Sequence, residues 1–411
     1  MRVLVADRFD HATLESLKAA GCEIEMRPEL AQDGLRAALA ELRPEALVVR
    51  GLRVDADALA ASDRLALVVR AGANAETVDV DAASRRGIAV ATTPGRNAAA
   101  VAELAFALML SLDRRIPDQV ADLRKGTWNR GAYARSPGLH GRTLGIIGLG
   151  PVGREMAGRA KAFGMRVVAW GLELTQGECD ALGVDHVESL VNLARLSDVV
   201  TVHAPAVPES DGLVGERFLN AMRTGAILVN TSRASVVDER ALAKAIAERG
   251  LRVGLDVWSD EPAGRTGEFR NPLAAEPKVY GTFHVGAATE QAHQATAAEA
   301  ARIVREWAVS GEVPGCLNLA AVTPATAVLV VRHLNRPGVL AHVFEAVGSA
   351  GINVEEMNHV VYDGHEAAKA TIHLSRPPTE EIIAAIRKNP NVLGTSLSLI
   401  RRPAPVAAGS P

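Results

Sequence analysis

Cysteine is scarce in this chain: Cys22, Cys179 and Cys316 are the only three in 411 residues, far apart and in no metal-ligand spacing. A disulfide framework and a zinc cluster are thereby excluded, and the expectation is reduced core thiols in a cytoplasmic protein without a metal. Charge imbalance is also missing, the formal net charge being -3. There is no global electrostatic case for nucleic acid or an anionic membrane, so any anion site has to be local. Aromatic residues amount to 3%, which leaves little for base stacking. Long apolar runs are absent as well. The most apolar window, 98–112, is broken by Glu103 and is too short to span a bilayer. The first residues read as a strand, not as a signal peptide. What is present is a 48% hydrophobic complement, enough for a substantial core, at a length that calls for two or three domains.

The chain is organised around residues 143–171. An apolar run ends in Gly148-Leu149-Gly150-Pro151-Val152-Gly153, an amphipathic stretch follows (Val152, Met156, Ala160, Phe163), and a second apolar run closes at Trp170 and Gly171. That is strand, turn, helix, strand, the setting in which Gly-x-Gly-x-x-Gly binds a dinucleotide. Gly148 makes the turn, Gly150 admits the pyrophosphate, and Gly153 lets helix and strand pack closely. The helix N-terminus adds free N–H groups and a positive dipole end. An acidic residue for the adenosine ribose is expected at the end of the second strand. Gly171 stands there instead, with Glu173 two residues on and no Arg or Lys for a 2′-phosphate, so the cofactor is read as NAD.

Short apolar segments alternate with helical periods from residue 3 to residue 90, which predicts a parallel sheet with helices on both faces. A long helix over 97–112 leaves this unit, and the alternation resumes through 198–202, 226–229, 253–256 and 279–280. The alanine-rich stretch 286–310 is a second long helix that returns. The expected layout is a discontinuous substrate domain, 1–97 and 287–318, split by a nucleotide-binding domain, 98–286. After Pro324 the order changes to strand, helix, two strands about Asp363-Gly364, helix and strand. This is βαββαβ, a ferredoxin-like unit over 326–401, with Thr379 as a helix cap and a disordered tail, 402–411.

Ligands collect at the carboxyl ends of strands in such sheets, and four polar groups fall there: Asn230-Thr231-Ser232-Arg233, Asp256 with Glu261, His203, and His284. An Arg can hold a carboxylate and polarise a carbonyl. A His beside a carboxylate can move a proton near neutral pH. Together they are the parts needed to exchange a hydride and a proton with a 2-hydroxy acid. Position alone leaves His203 and His284 equal candidates for the proton.

The stretches Gly148–Gly153, Thr231-Ser232-Arg233-Ala234-Ser235-Val236-Val237-Asp238-Glu239, Leu255-Asp256-Val257-Trp258-Ser259-Asp260-Glu261-Pro262 and Thr282-Phe283-His284-Val285-Gly286 resemble the successive signatures of the D-2-hydroxyacid dehydrogenases. The resemblance runs from residue 1 to about 318. It implies a Rossmann-type domain inserted in a flavodoxin-like α/β substrate domain, with His284 as general acid/base, Glu261 orienting it and Arg233 binding the substrate carboxylate and keto oxygen. It further implies that Gly148, Gly150, Pro151, Val152, Gly153, Gly171, Glu173, His203, Ala204, Pro205, Thr231, Ser232, Asp256 and Gly286 meet NAD, Asp256 at the carboxamide. With the terminal unit, the layout is similar to the branch of the family that oxidises 3-phosphoglycerate and carries an ACT domain. Arg50, Arg70 and Arg130, with Gly72, Ala73 and Asn74, would then hold the phosphorylated 2-hydroxy acid. Arg53 reads better as ordinary surface.

In that branch, residues matching His333 and Asn335 bind serine together with one matching Asn353 from a partner subunit, so a homodimer or homotetramer is implied. The plainer reading of this unit is a dimerisation module. Only Tyr362 could offer a base a stacking surface there, which argues against RNA. Three departures from the family pattern stand out. Asn74 replaces a usual Gly, and Asn tolerates a left-handed turn; Ala234 replaces another, at a cost of roughly 1–2 kcal/mol if its φ is positive; Phe283 replaces a Pro before His284 and loosens that approach. The alternatives are reduction of another 2-keto acid, such as hydroxypyruvate or glyoxylate, and, in a different class, an NAD-sensing binding protein.

Overall fold

The computed structural model describes residues 1–400 except 10, 206, 263–265 and 321. Contacts divide the chain after Asn318, and each unit is described by itself.

The first unit holds two parallel sheets. In the first, β1 (Arg2–Ala6), β2 (Glu23–Met26), β3 (Ala46–Val49), β4 (Leu67–Arg70) and β5 (Ala89–Thr92) lie in the order β2-β1-β3-β4-β5, a doubly wound arrangement whose switch point falls between β1 and β3. β1, β3 and β4 are Val/Leu runs buried on both faces, as sheets covered on both sides require. One face packs under Leu35, Leu39 and Leu59 of the intervening helices. The other is covered by Leu17 and, from far down the chain, by Ala297, Ala300, Ile303 and Val304. These last belong to the helix Glu290–Ser310, so the chain comes back to its first sheet.

The second sheet comprises β6 (Thr143–Ile147), β7 (Arg166–Trp170), β8 (Asp185–His186), β9 (Val199–Val202), β10 (Ile227–Asn230), β11 (Arg252–Leu255) and β12 (Val279–Gly281), ordered β12-β11-β10-β9-β6-β7-β8. Its switch point separates β6 from β9, immediately above the glycine fingerprint. The helix Ala98–Arg114 buries Ala102, Ala105, Phe106 and Met109 against this sheet. It is therefore the outward crossing, as Glu290–Ser310 is the return.

The return helix begins at Glu290, not at residue 286: the Thr289 hydroxyl accepts from the Ala292 N–H as its cap, and the residues before it form a loop. Cys22 and Cys179 are buried, whereas Cys316 is only half so.

The second unit is an antiparallel sheet of β13 (Ala327–Leu334), β14 (Val354–Val361), β15 (Ala367–Leu374) and β16 (Val392–Leu399), ordered β14-β15-β13-β16, with helices Val339–Ser349 and Glu380–Arg387 completing βαββαβ. The connection at Asp363-Gly364 is wider than a two-residue hairpin: it spans 362–366, with Gly364 and His365 both at positive φ and Tyr362 just off the strand. Thr379 occupies the cap position of its helix but makes no capping hydrogen bond. The expected tail, 402–411, lies outside the described residues.

Candidate active site

The sequence places its chemistry at the carboxyl ends of β3, β4, β10, β11 and β12, and the fold turns these toward one another. Arg50, Arg70, Gly72, Ala73, Asn74, Thr231, Arg233, Asp256, His284 and Gly286 line a single cleft of about 270 Å³. Asn97, His293 and Thr296 line it too, and no motif or spacing had singled them out. A separate cavity of about 760 Å³ is bounded by Gly148, Gly150, Arg154, Gly171, Glu173, Ala204 and Pro205.

His284 is held by its Nδ1 at 2.8 Å from Glu261 Oε2. An ionised carboxylate only accepts, so this contact puts the proton on Nδ1 and leaves the Nε2 lone pair available. The loop carrying His284 is fixed from below by Asp256. Its Oδ1 accepts from the Thr282 hydroxyl at 2.6 Å and the Val285 N–H at 2.9 Å, and its Oδ2 accepts from the Gly286 N–H at 2.8 Å. Asp256 is 1% exposed; in this structure the carboxylate expected to meet a nicotinamide carboxamide braces the loop that carries His284. His284 itself has φ 51°, a left-handed conformation that costs a non-glycine residue roughly 1–2 kcal/mol. A left-handed histidine preceded by Phe283, which is 87% exposed, is the conformation adopted where a proline was usual.

The other two departures carry no such strain. Asn74 does not adopt the left-handed turn anticipated for it, and Ala234 opens a short 3-10 turn, Ala234–Val236, without positive φ. Asn74 instead donates from Nδ2 to Glu76 Oε1 at 2.9 Å.

Arg233 reaches the cleft from the end of β10. Its Nε donates to Glu76 Oε1 at 2.9 Å and its Nη1 to the Ser232 carbonyl at 2.7 Å. Arg50 is paired through Nε with Asp7 Oδ2 at 2.7 Å, at the switch point of the first sheet. Arg70 lies over Gly72, where a Cβ would stand 1.6 Å from Nη1. Burial holds the Arg70 guanidinium below its ordinary value, and the nearby Arg233 and Arg50 add to this against the opposing pull of Glu76. His293 is likewise pushed down, by burial and then by Arg50. Two buried polar atoms of this cleft, Arg70 Nε and Thr231 Oγ1, have no hydrogen-bond partner, as expected of groups that face a polar ligand.

At the fingerprint, Gly148 has φ 91°, and a Cβ there would lie 2.7 Å from the His203 carbonyl oxygen. A Cβ on Gly153 would meet the Gly148 carbonyl oxygen at 2.2 Å. Gly150, by contrast, faces open space. Together with the helix N-terminus at Pro151 and Val152, this is a cradle whose dimensions and exposed amides fit a pyrophosphate. Arg154, directly after the third glycine, was not anticipated as a lining residue; it donates to the Leu149 carbonyl and pairs with Glu178 at 3.5 Å.

Three expected residues lie elsewhere. The His203 ring does not line the dinucleotide cavity: its Nε2 meets Thr201 Oγ1 at 2.8 Å, and desolvation pushes its imidazole down to about 3, so the proton role open to it by position falls away. Ser232 turns its hydroxyl to Asn230 Oδ1. Arg130 starts a short helix, Arg130–Tyr133, and lines a different pocket with Trp128 and Tyr133. Arg53 is also outside the cleft.

In the second unit, His333 is 2% exposed and stacks on His359 at 5.4 Å between centroids. Its Nδ1 meets the Leu334 carbonyl, and its Nε2 is buried without a partner. Asn335 donates to the His365 carbonyl and Asn353 to Glu355. His333 and Asn335 belong to one end of the sheet and Asn353 to the other, as the pairings of Leu334 with Ala367 and of Val354 with Leu374 require. One copy does not bring the three together. Among the described residues no cluster suited to a metal ion occurs, and no helix is long and apolar enough to cross a membrane.

Comparison with known proteins bears on the first unit. Residues 106–286 match the family described as D-isomer specific 2-hydroxyacid dehydrogenase, NAD binding domain. The chain is 34% identical over 297 residues to D-3-phosphoglycerate dehydrogenase of Methanocaldococcus jannaschii, a match covering 72% of this chain and 55% of that one. To the Mycobacterium tuberculosis protein of the same name it is 38% identical over 324 residues, 77% of this chain and 58% of the relative. The matches thus span under two thirds of these curated relatives. The crystal structure of TT0316 protein from Thermus thermophilus superposes with a TM-score of 0.66 at 32% identity, over 77% of this chain and 100% of that one. The chain belongs to the D-isomer specific 2-hydroxyacid dehydrogenase family, with residues 106–286 as its NAD-binding domain.

Proposed function

We propose that this chain is an NAD-dependent dehydrogenase that oxidises 3-phosphoglycerate to 3-phosphohydroxypyruvate, the first step toward serine. The observation that carries the reading is that His284, paired through Nδ1 with Glu261, lines the same cleft as Arg233, Arg70 and Arg50. The relatives named above support the substrate.

NAD, when bound, accepts the hydride from C2. Gly148, Gly150 and the first turn after Pro151 would hold its pyrophosphate, with Glu173 near the adenosine end and Thr231, Asp256 and Gly286 near the other. His284 Nε2 takes the substrate hydroxyl proton, and Glu261 stabilises the imidazolium that forms. Arg233 binds the carboxylate and the oxygen that becomes the keto group. Arg50 and Arg70, with the turn at Gly72, Ala73 and Asn74, face the phosphate. Arg130, on a separate surface of this chain, would contribute only to another copy, in a homodimer or homotetramer. The substrate domain is assigned to 1–97 and 287–318, the nucleotide domain to 98–286, and the unit 326–401 is read as an ACT domain. There, the unpartnered His333 Nε2, with Asn335, supports a serine site completed by Asn353 of another copy.

The test is NADH and NADPH oxidation against a panel of keto acids, with and without millimolar serine. Activity confined to 3-phosphohydroxypyruvate supports the reading. Equal activity on glyoxylate or hydroxypyruvate replaces it with a general 2-keto acid reductase, and tight NADH binding without any turnover replaces it with a cofactor sensor. Activity indifferent to serine reduces the terminal unit to assembly.

A further inference from the structure

Arg233 does not stand free in the cleft. Glu76, on the loop after β4, crosses from the first sheet to Arg233 on the second and takes the guanidinium Nε at 2.9 Å, while Asn74 fixes the same carboxylate oxygen from behind. Nη1 is drawn to the Ser232 carbonyl. A carboxylate that grips an arginine side-on needs Nε and one Nη together, and Glu76 already occupies the Nε of that edge. We infer that Glu76 is a specificity-determining residue: its carboxylate competes with the substrate carboxylate for Arg233, and so selects for acids that carry a second anionic group. This rests on the role proposed above for Arg233.

The charge balance of the cleft gives the reason for the selection. Asp7 answers Arg50 and Glu76 answers Arg233, whereas the Nε of the half-buried Arg70 is itself buried and unpartnered. An acid with one carboxylate merely exchanges places with Glu76 on Arg233 and gains little Coulomb energy. An acid with a further anionic group gains the attraction of Arg70 as well, and that surplus displaces Glu76. The Glu76 side chain is about half exposed, so it has solvent to move into when displaced.

The experiment measures oxamate binding by calorimetry, with NADH present, for the wild type and for Glu76→Gln, Glu76→Asp and Arg233→Gln, alongside KM for glyoxylate and for 3-phosphohydroxypyruvate. Glu76→Gln is expected to tighten oxamate, which carries one carboxylate, at least fivefold and to leave the neutral glycolamide unaffected. Glu76→Asp, one methylene short of Arg233, is expected to move in the same direction. KM should fall further for glyoxylate than for the phosphorylated acid. Oxamate binding lost in Arg233→Gln but unchanged or weakened in Glu76→Gln overturns the competition and leaves Arg233 in place. Wild-type oxamate affinity in Arg233→Gln overturns the underlying assignment of Arg233. Because oxamate is not turned over, the binding result decides the role of Glu76 even for a chain that reduces none of the acids.

Discussion

Three glycines within one helical turn or two of each other make opposite predictions when each is changed to alanine. At Gly153 the new methyl would sit 2.2 Å from the Gly148 carbonyl oxygen, roughly 1 Å inside ordinary C···O contact. Helix and turn must separate, and overpacking of this kind costs about 1–3 kcal/mol. Better helix propensity returns about 1 kcal/mol, so the net loss is up to about 2 kcal/mol, together with weaker NADH binding as the amides move. Gly158, exposed in the same helix with nothing within 4 Å, should only gain, by about 0.5–1 kcal/mol, with NADH affinity unchanged. Gly150 also has nothing within 4 Å, but the space beside it is the proposed pyrophosphate seat. Gly150→Ala should cost under about 1 kcal/mol as a poorer N-cap and weaken NADH at least tenfold, about 1.4 kcal/mol. Urea unfolding and NADH fluorescence titration separate the three. Wild-type NADH affinity in Gly150→Ala would refute the placement of the dinucleotide.

His284→Asn should lower turnover by about 10²–10⁴-fold, the usual worth of a general acid/base, while NADH still binds in fluorescence titration. Asp256→Asn offers the three donors of the catalytic loop one acceptor in place of two. With hydrogen bonds to a charged group worth about 1.5–3 kcal/mol each, urea unfolding should show a loss of about 3 kcal/mol and kcat should fall with it. His203 supplies a pH effect. The folded chain keeps it neutral down to about 3, whereas the unfolded imidazole protonates near its ordinary value, about 6.5. The unfolded state therefore binds more protons in between, and stability falls as pH drops from about 6.5 toward 3, by about 2 kcal/mol at pH 5. His203→Gln should remove that part of the difference between urea midpoints at pH 8 and pH 5.

The sheets were legible because buried parallel strands leave a plain mark: Leu47-Val48-Val49 and Val199-Val200 are apolar on both faces, and turn residues bound them. The fingerprint was legible because each of its glycines answers a separate steric demand. The cleft was harder to read. His203 and His284 both follow a strand, and only the fold shows that one ring turns inward to Thr201 while the other meets Glu261. Glu76 and Arg233 are 157 residues apart, a distance over which periodicity carries no information. His293 sits in the first turn of the return helix, where the sequence reads only as a good helix start. Arg130 had the right residue type, but its loop leads to another surface. The left-handed turn expected at Asn74 appears instead at His284, since the tight corner depends on how Asp256 pins the loop.

The chain crosses between its first two sheets twice, near residues 93–97 on the way out and near 282–289 on the way back. Two crossings tie the sheets together at two points, so any change in the width of the cleft has to be absorbed at both of them at once. His284, with its left-handed φ, is set in the second crossing. A substitution that shifts the return crossing therefore shifts His284 relative to the first sheet without touching the arginines that line the cleft.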